Sequence, residues 1–172
     1  MTHDVDSNED ETPATQGAKA KRAKGFQVSL KGRALRLLSQ REHSRFELER
    51  KLKPFEETPG ELAEALDFLQ AKDFINEQRV VESVVNSRSR KLGASRVRQE
   101  LQAKGLPAEA IAEAVQAMRS TELERAREVW RKKFGELPAN QEARVKQVRF
   151  LVSRGFAPEV VKRVVAGAED FA

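Results

Sequence analysis

The chain has 172 residues, 39% of them hydrophobic and 34% charged, with no cysteine and a net charge of +5. Lack of cysteine excludes a disulfide framework and any cysteine-ligated metal, and no apolar run approaches the roughly 20 residues a membrane helix needs. The first residues also lack the basic-then-apolar order of a signal peptide, so a cytoplasmic protein is expected.

Residues 1–25 hold almost no large apolar side chain and carry five acids and four bases. They cannot offset the entropy of ordering, and a disordered tail is expected. The block KAKRAK (Lys19–Lys24) can touch phosphate but reads first as a solvated linker. The rest of the chain is +6. Such a body suits a polyanionic partner, nucleic acid or an assembly containing it; solubility alone accounts for a charge of this size equally well.

From Ser29 onward the signals are helical. The spacing of apolar residues and caps predicts nine helices, at roughly 29–42, 44–53, 58–72, 76–91, 93–104, 107–118, 120–134, 140–154 and 157–168. Ser44-Arg-Phe-Glu47 has the form of a capping box. Thr58-Pro59-Gly60-Glu61 has the same form, with proline at the favoured first position. Asn76 and Ser120 are plausible N-caps. Gly105 and Gly155 each follow a cation, Lys104 and Arg154, where a helix ends in a left-handed residue. Pro107 and Pro158 open the helices that follow.

Three phrases share one register. Leu52, Leu62 and Leu66 match Leu101, Ile111 and Val115 at a spacing of 49, and these match Leu151, Val161 and Val165 at 50. The chain is therefore an all-α array of three-helix repeats: residues 26–74, 75–119 and 120–172, following the tail 1–25. A unit of this size buries little alone, so neighbours are expected to stack or share continuous packing. Extended arrays serve binding along large surfaces better than they enclose one active site.

No catalytic, cofactor or metal site is apparent. His3 lies in the tail, and His43 reads as a polar residue of the first turn. The carboxylates mostly stand at helical spacing from Lys or Arg and read as solvated ion pairs. Trp130 shares a stripe with Ala126, Val129 and Phe134, and reads as core rather than as a base-stacking platform.

The cations are more informative. Ser83–Gln99 contains no acid but holds Arg88, Arg90, Lys91, Arg96 and Arg98. Ala143–Pro158 contains none but holds Arg144, Lys146, Arg149 and Arg154. Arg96 matches Lys146, and Lys104 matches Arg154; in the first copy the position of Arg96 is Glu47. These ten cations are the candidate contacts to a protein partner or to DNA.

The segment ALRLLSQREHSRFELERKL (Ala34–Leu52) resembles the N-terminal signature of the RecX regulatory proteins. KLGASRVRQELQAKGLPAEAIAEAV (Lys91–Val115) resembles their central motif, and FLVSRGFAPEVVKRVV (Phe150–Val165) their C-terminal repeat. The likeness spans about Leu30 to Val165. It departs at Pro54–Thr58, where many relatives keep a Lys-Gly-like turn. The resemblance implies three tandem three-helix repeats in an elongated, curved array. It implies binding to the RecA recombinase filament on single-stranded DNA; a monomer without cofactor is expected. Binding would dampen ATP hydrolysis, strand exchange and co-protease activity. A stand-alone basic helical repeat that binds DNA phosphates is the alternative.

Overall fold

The computed structural model describes residues 28–167. The expected tail at 1–25 lies outside them. Nine α-helices and no strand occur among the described residues: α1 Leu30–Leu38, α2 Arg45–Leu52, α3 Glu61–Ala71, α4 Glu77–Arg88, α5 Ala94–Ala103, α6 Ala108–Arg119, α7 Glu122–Lys133, α8 Gln141–Ser153 and α9 Pro158–Ala166. They form three units of three, with one 3₁₀ turn at Lys53–Phe55.

Local chemistry sets most of the helix starts. Ser44 Oγ accepts from the Glu47 amide at 3.1 Å, and Glu47 Oε2 accepts from the Ser44 amide at 3.0 Å, so the capping box of α2 is complete. Asn76 caps α4 by accepting from the Arg79 amide at 3.0 Å. Asn140 does the same for α8 through the Ala143 amide at 2.8 Å.

Two expected caps are corrected. Pro59-Gly60 makes a turn in which the Glu61 amide donates to the Thr58 carbonyl, with Gly60 at φ 91°. Proline then glycine is the signature of a type II turn, and it overrides the capping box. The helix starts two residues later than an N-cap at Thr58 implies, and the Glu56 carboxylate accepts from the Gly60 and Leu62 amides instead. Ser120 caps no helix start: its hydroxyl donates back to the Ala117 carbonyl, and Thr121 holds the N-cap position of α7 without a capping bond, its hydroxyl turned back to the Met118 carbonyl. The first helix also ends at Leu38 rather than near residue 42, because the Ser39 hydroxyl donates to the Arg36 carbonyl and Arg41 turns away toward Glu47.

Each repeat has its own core. Leu48, Leu52, Leu62, Leu66 and Leu69 centre the first; Val97, Leu101, Ile111 and Val115 the second; Leu151, Phe156, Val161 and Val165 the third. Of the two expected arrangements, stacking or continuous apolar packing, the second does not occur, since these are three separate clusters. The strong helix packings all fall within repeats; between repeats the sequential pair α6–α7 packs only weakly. What joins the repeats is polar and backbone contact.

Candidate functional site

The second helices of the three repeats meet end to end. At the junction of repeats 2 and 3, the Gly93 amide at the start of α5 donates to the Arg154 carbonyl at 2.8 Å, and the Ser95 amide donates to the Gly155 carbonyl at 3.2 Å. The free N–H groups of α5 thus receive the free carbonyls after α8, and the opposed dipole ends attract. At the junction of repeats 1 and 2, Ser44 at the start of α2 donates its hydroxyl to the Lys104 carbonyl after α5, at 2.5 Å. Chain order is reversed along this spine: α8 runs into α5, and α5 into α2.

Close approach requires glycine at these joints. Gly105 and Gly155 take φ of 68° and 83°, as the helix-ending reading expects. A Cβ on Gly155 would stand 2.5 Å from the Arg96 amide nitrogen, and one on Gly105 would stand 2.5 Å from the Phe46 ring. A Cβ on Gly93 would collide with the Gly155 carbonyl.

The junction of repeats 1 and 2 is ionic. Glu47, almost fully buried, accepts from Arg41 at 2.9 Å and from Lys104 Nζ at 3.1 Å. Burial alone would push its carboxyl up. The hydrogen bonds from Arg41, the Ser44 amide and Lys104 overcome that and hold it at about 2. Beside it stands His43, which lies in the α1–α2 loop as the sequence places it but is buried there. Its Nδ1 lies 3.0 Å from the Arg41 carbonyl, which can only accept, so Nδ1 carries the proton and Nε2 faces Lys51 Nζ at 3.3 Å. Burial pulls the imidazole below its ordinary value.

At the other junction Glu122, also buried, accepts from the Ala94 amide at 2.9 Å. Arg125 donates to the carbonyls of Ser89, Leu92 and Met118 at 2.8–2.9 Å, so it binds α7 to the ends of α4 and α6. Burial lowers the pKa of its guanidinium from the ordinary arginine value. Glu122 and Arg125 carry no signal in the sequence that separates them from surface ion pairs; only the packing singles them out.

The ten candidate cations divide. Arg88 pairs with Glu100 at 3.0 Å, an acid just beyond the acid-free stretch. Lys104 is spent on Glu47, with its side chain 16% exposed. Arg154 lies over the Phe150 ring at 4.5 Å. Arg90, Lys91, Arg96, Arg98, Arg144, Lys146 and Arg149 are exposed, and none of them has an acidic partner among the described residues. Five of the seven stand on α5 and α8, and Arg96 and Lys146 occupy equivalent places. In repeat 1 the first cation of the second helix, Arg45, is paired instead, held by Glu49 and Asp67 at 2.9 and 2.6 Å. Trp130 is half-buried, with its indole N–H donating to Gln147 at 2.8 Å. No group of three or more His, Asp or Glu among the described residues is placed to hold a metal ion. None of their helices is long and apolar enough to cross a membrane.

Three three-helix modules in tandem, joined through their second helices, define an all-α helical-repeat protein. Models of the first, second and third RecX three-helix domains match residues 31–69, 76–115 and 120–165 in that order. The chain belongs to the RecX family. It is 52% identical to the regulatory protein RecX of Leptothrix cholodnii over 83% of this chain and 91% of that one. It is 44% identical to that of Ralstonia nicotianae over 83% of this chain and 89% of the relative. Its fold is similar to the crystal structure of RecX from Lactobacillus salivarius, with a TM-score of 0.68 at 20% identity over 80% of this chain and 93% of that one.

Proposed function

We propose that this chain is a cytoplasmic, monomeric regulator that binds the RecA filament on single-stranded DNA. By binding, it restrains RecA's ATPase, strand-exchange and co-protease activities. The observation that carries the reading is the spine: α5 and α8 meet end to end and bear Arg96, Arg98, Arg144, Lys146 and Arg149 with no acidic partner among the described residues. A line of cations on an extended support suits a long anionic track, where each contact is weak and the sum is not. Family membership supplies the regulatory class, and the repeat division at 74/75 and 119/120 follows the same reading.

The test is the DNA-dependent ATPase of RecA with the purified chain added below equimolar ratio. Slowing is expected; an unchanged rate at equimolar protein would overturn the reading. The same free cations support a second reading, direct binding of DNA phosphates without RecA. That binding would weaken steeply with salt, with a slope that falls as each contact cation is removed.

A further inference from the structure

An open groove runs between α4 and α6 on repeat 2, with a volume of about 440 Å³. Val81 and Val85 form one wall, and Ala110, Ala114 and Ala117 the other. Each helix contributes 12 residues, about 18 Å at 1.5 Å per residue. The trough is therefore about three helical turns long.

The repeat register shows why it is open. Forty-nine residues before the three alanines stand Glu61, Ala65 and Phe68, and fifty after them stand Val160, Val164 and Gly167. In repeat 1, Phe68 supplies bulk, and Lys31 of α1 reaches across to lie 3.9 Å from its ring centroid. In repeat 3, Leu137 from the α7–α8 loop covers Gly167 so closely that a Cβ there would stand 2.8 Å from it. Val160 packs on the third core. Two repeats thus set a large apolar side chain of their own over this position, Phe68 and Leu137, which are still 45% and 54% exposed. Repeat 2, with alanine throughout, leaves the space for a side chain of that kind from elsewhere.

The rim decides the rest of the chemistry. Glu82 and Glu113 flank the groove and are exposed. Neither meets a cation among the described residues; Glu82 accepts only from Gln78 at 3.2 Å. The cation at the far end, Arg125, is spent on three carbonyls. On a body of net positive charge, an acid-rimmed apolar groove repels phosphate and draws cationic peptide.

We propose that this groove docks an amphipathic helical segment of a protein partner, one that inserts leucine-type side chains over Ala114 and Ala117 and places Lys or Arg against Glu82 and Glu113. This is helix-in-groove recognition, and it stands whether or not the spine binds a filament. It occupies α4 and α6 of repeat 2, whereas Arg96, Arg98, Arg144, Lys146 and Arg149 stand on α5 and α8.

The probe is a fluorescein-labelled helical peptide of about 14 residues, with leucine at helical spacing and lysine between, titrated with the full chain. Its glutamate counterpart is the control. Saturable binding of the lysine peptide alone is expected, with amide shifts at Val81, Val85 and Ala114. Ala117→Phe, which installs the residue repeat 1 carries, and Ala114→Leu should each weaken it at least about tenfold with the melting temperature held. Glu82→Gln with Glu113→Gln should weaken it about threefold or more. No binding by the unaltered chain, equal binding of the glutamate peptide, or equal binding by both groove-filling variants would overturn the proposal. So would a dimer in sedimentation that Ala117→Phe converts to monomer, which assigns the groove to a second copy. A gain of about tenfold on removing residues 1–27 would assign it to the chain's own leading segment and overturn it equally.

Discussion

Glu47 carries two jobs that a sequence shows as one. As the third residue of α2 it completes a capping box, and as a buried anion it receives Arg41 and Lys104. Replacing it with glutamine leaves Lys104 in a mostly buried site without its counter-charge. Glu47→Gln should cost about 3 kcal/mol, the low end for one member of a buried pair, because Arg41 is half-exposed. The carboxyl ionises at about 2 in the folded chain against 4.5 ordinarily. Its contribution is therefore complete above pH 4.5 and is lost as pH falls toward 2. Urea midpoints across that window should fall for the parent chain and flatten for Glu47→Gln. His43 acts in the same direction at higher pH. Its folded value lies below 6.5, so the unfolded chain takes the proton first and stability drops as pH falls below 6.5. His43→Gln should remove that part of the loss. Gly155 is constrained twice, by a φ of 83° and by the Arg96 backbone 2.5 Å from any Cβ. Gly155→Val should cost more than the roughly 1–2 kcal/mol of left-handed strain alone, measured by thermal melting.

At the scale of elements, equivalent residues anchor separate cores. Leu101 and Leu151 are fully buried on α5 and α8, 50 residues apart in register, yet they belong to different clusters. Each to alanine should cost about 2–5 kcal/mol. Because the clusters share no core, the double variant should be additive within about 0.5 kcal/mol. A coupling energy well above that in a denaturation cycle would mean the cores are continuous after all. The joints behave differently. The α8–α5 joint is backbone to backbone between Gly93–Ser95 and Arg154–Gly155, so it depends on the absence of a side chain at Gly93 and Gly155 rather than on a charge. The α5–α2 joint rests on Ser44, Glu47 and Lys104, and it yields to acid.

For the whole molecule, charge is sorted by helix. The third helices are acidic or mixed on their exposed faces, with Glu61, Glu64 and Asp67 on α3 and Glu109 and Glu113 on α6. The second helices of repeats 2 and 3 carry five of the seven free candidate cations. Reversing Arg96, Arg98, Lys146 and Arg149 to glutamate removes no ion pair among those described, so helix content and melting temperature should hold. Under the proposed function, inhibition of RecA should fall away cumulatively, and for the parent chain it should weaken with salt. Lys104→Glu is the contrast: it meets Glu47 at the joint, and there stability should fall along with inhibition.

The helices, their repeat and the family were legible in the residues. Apolar spacing, the Ser44 and Asn76 caps and the glycines after Lys104 and Arg154 are local signals, decided within a few residues of chain. Where two local signals competed, as at Thr58–Glu61, the proline–glycine turn won, and nothing in the spacing announced it. The candidate cations were legible only as a set. Which are free was decided by partners far along the chain: Glu47 lies 57 residues from Lys104, and Glu100 lies 12 from Arg88. The burial of His43, the end-to-end spine and the three-carbonyl grip of Arg125 belong wholly to the tertiary structure. They depend on which helix ends meet, and that is fixed by packing across repeats, where periodicity along one helix carries no information.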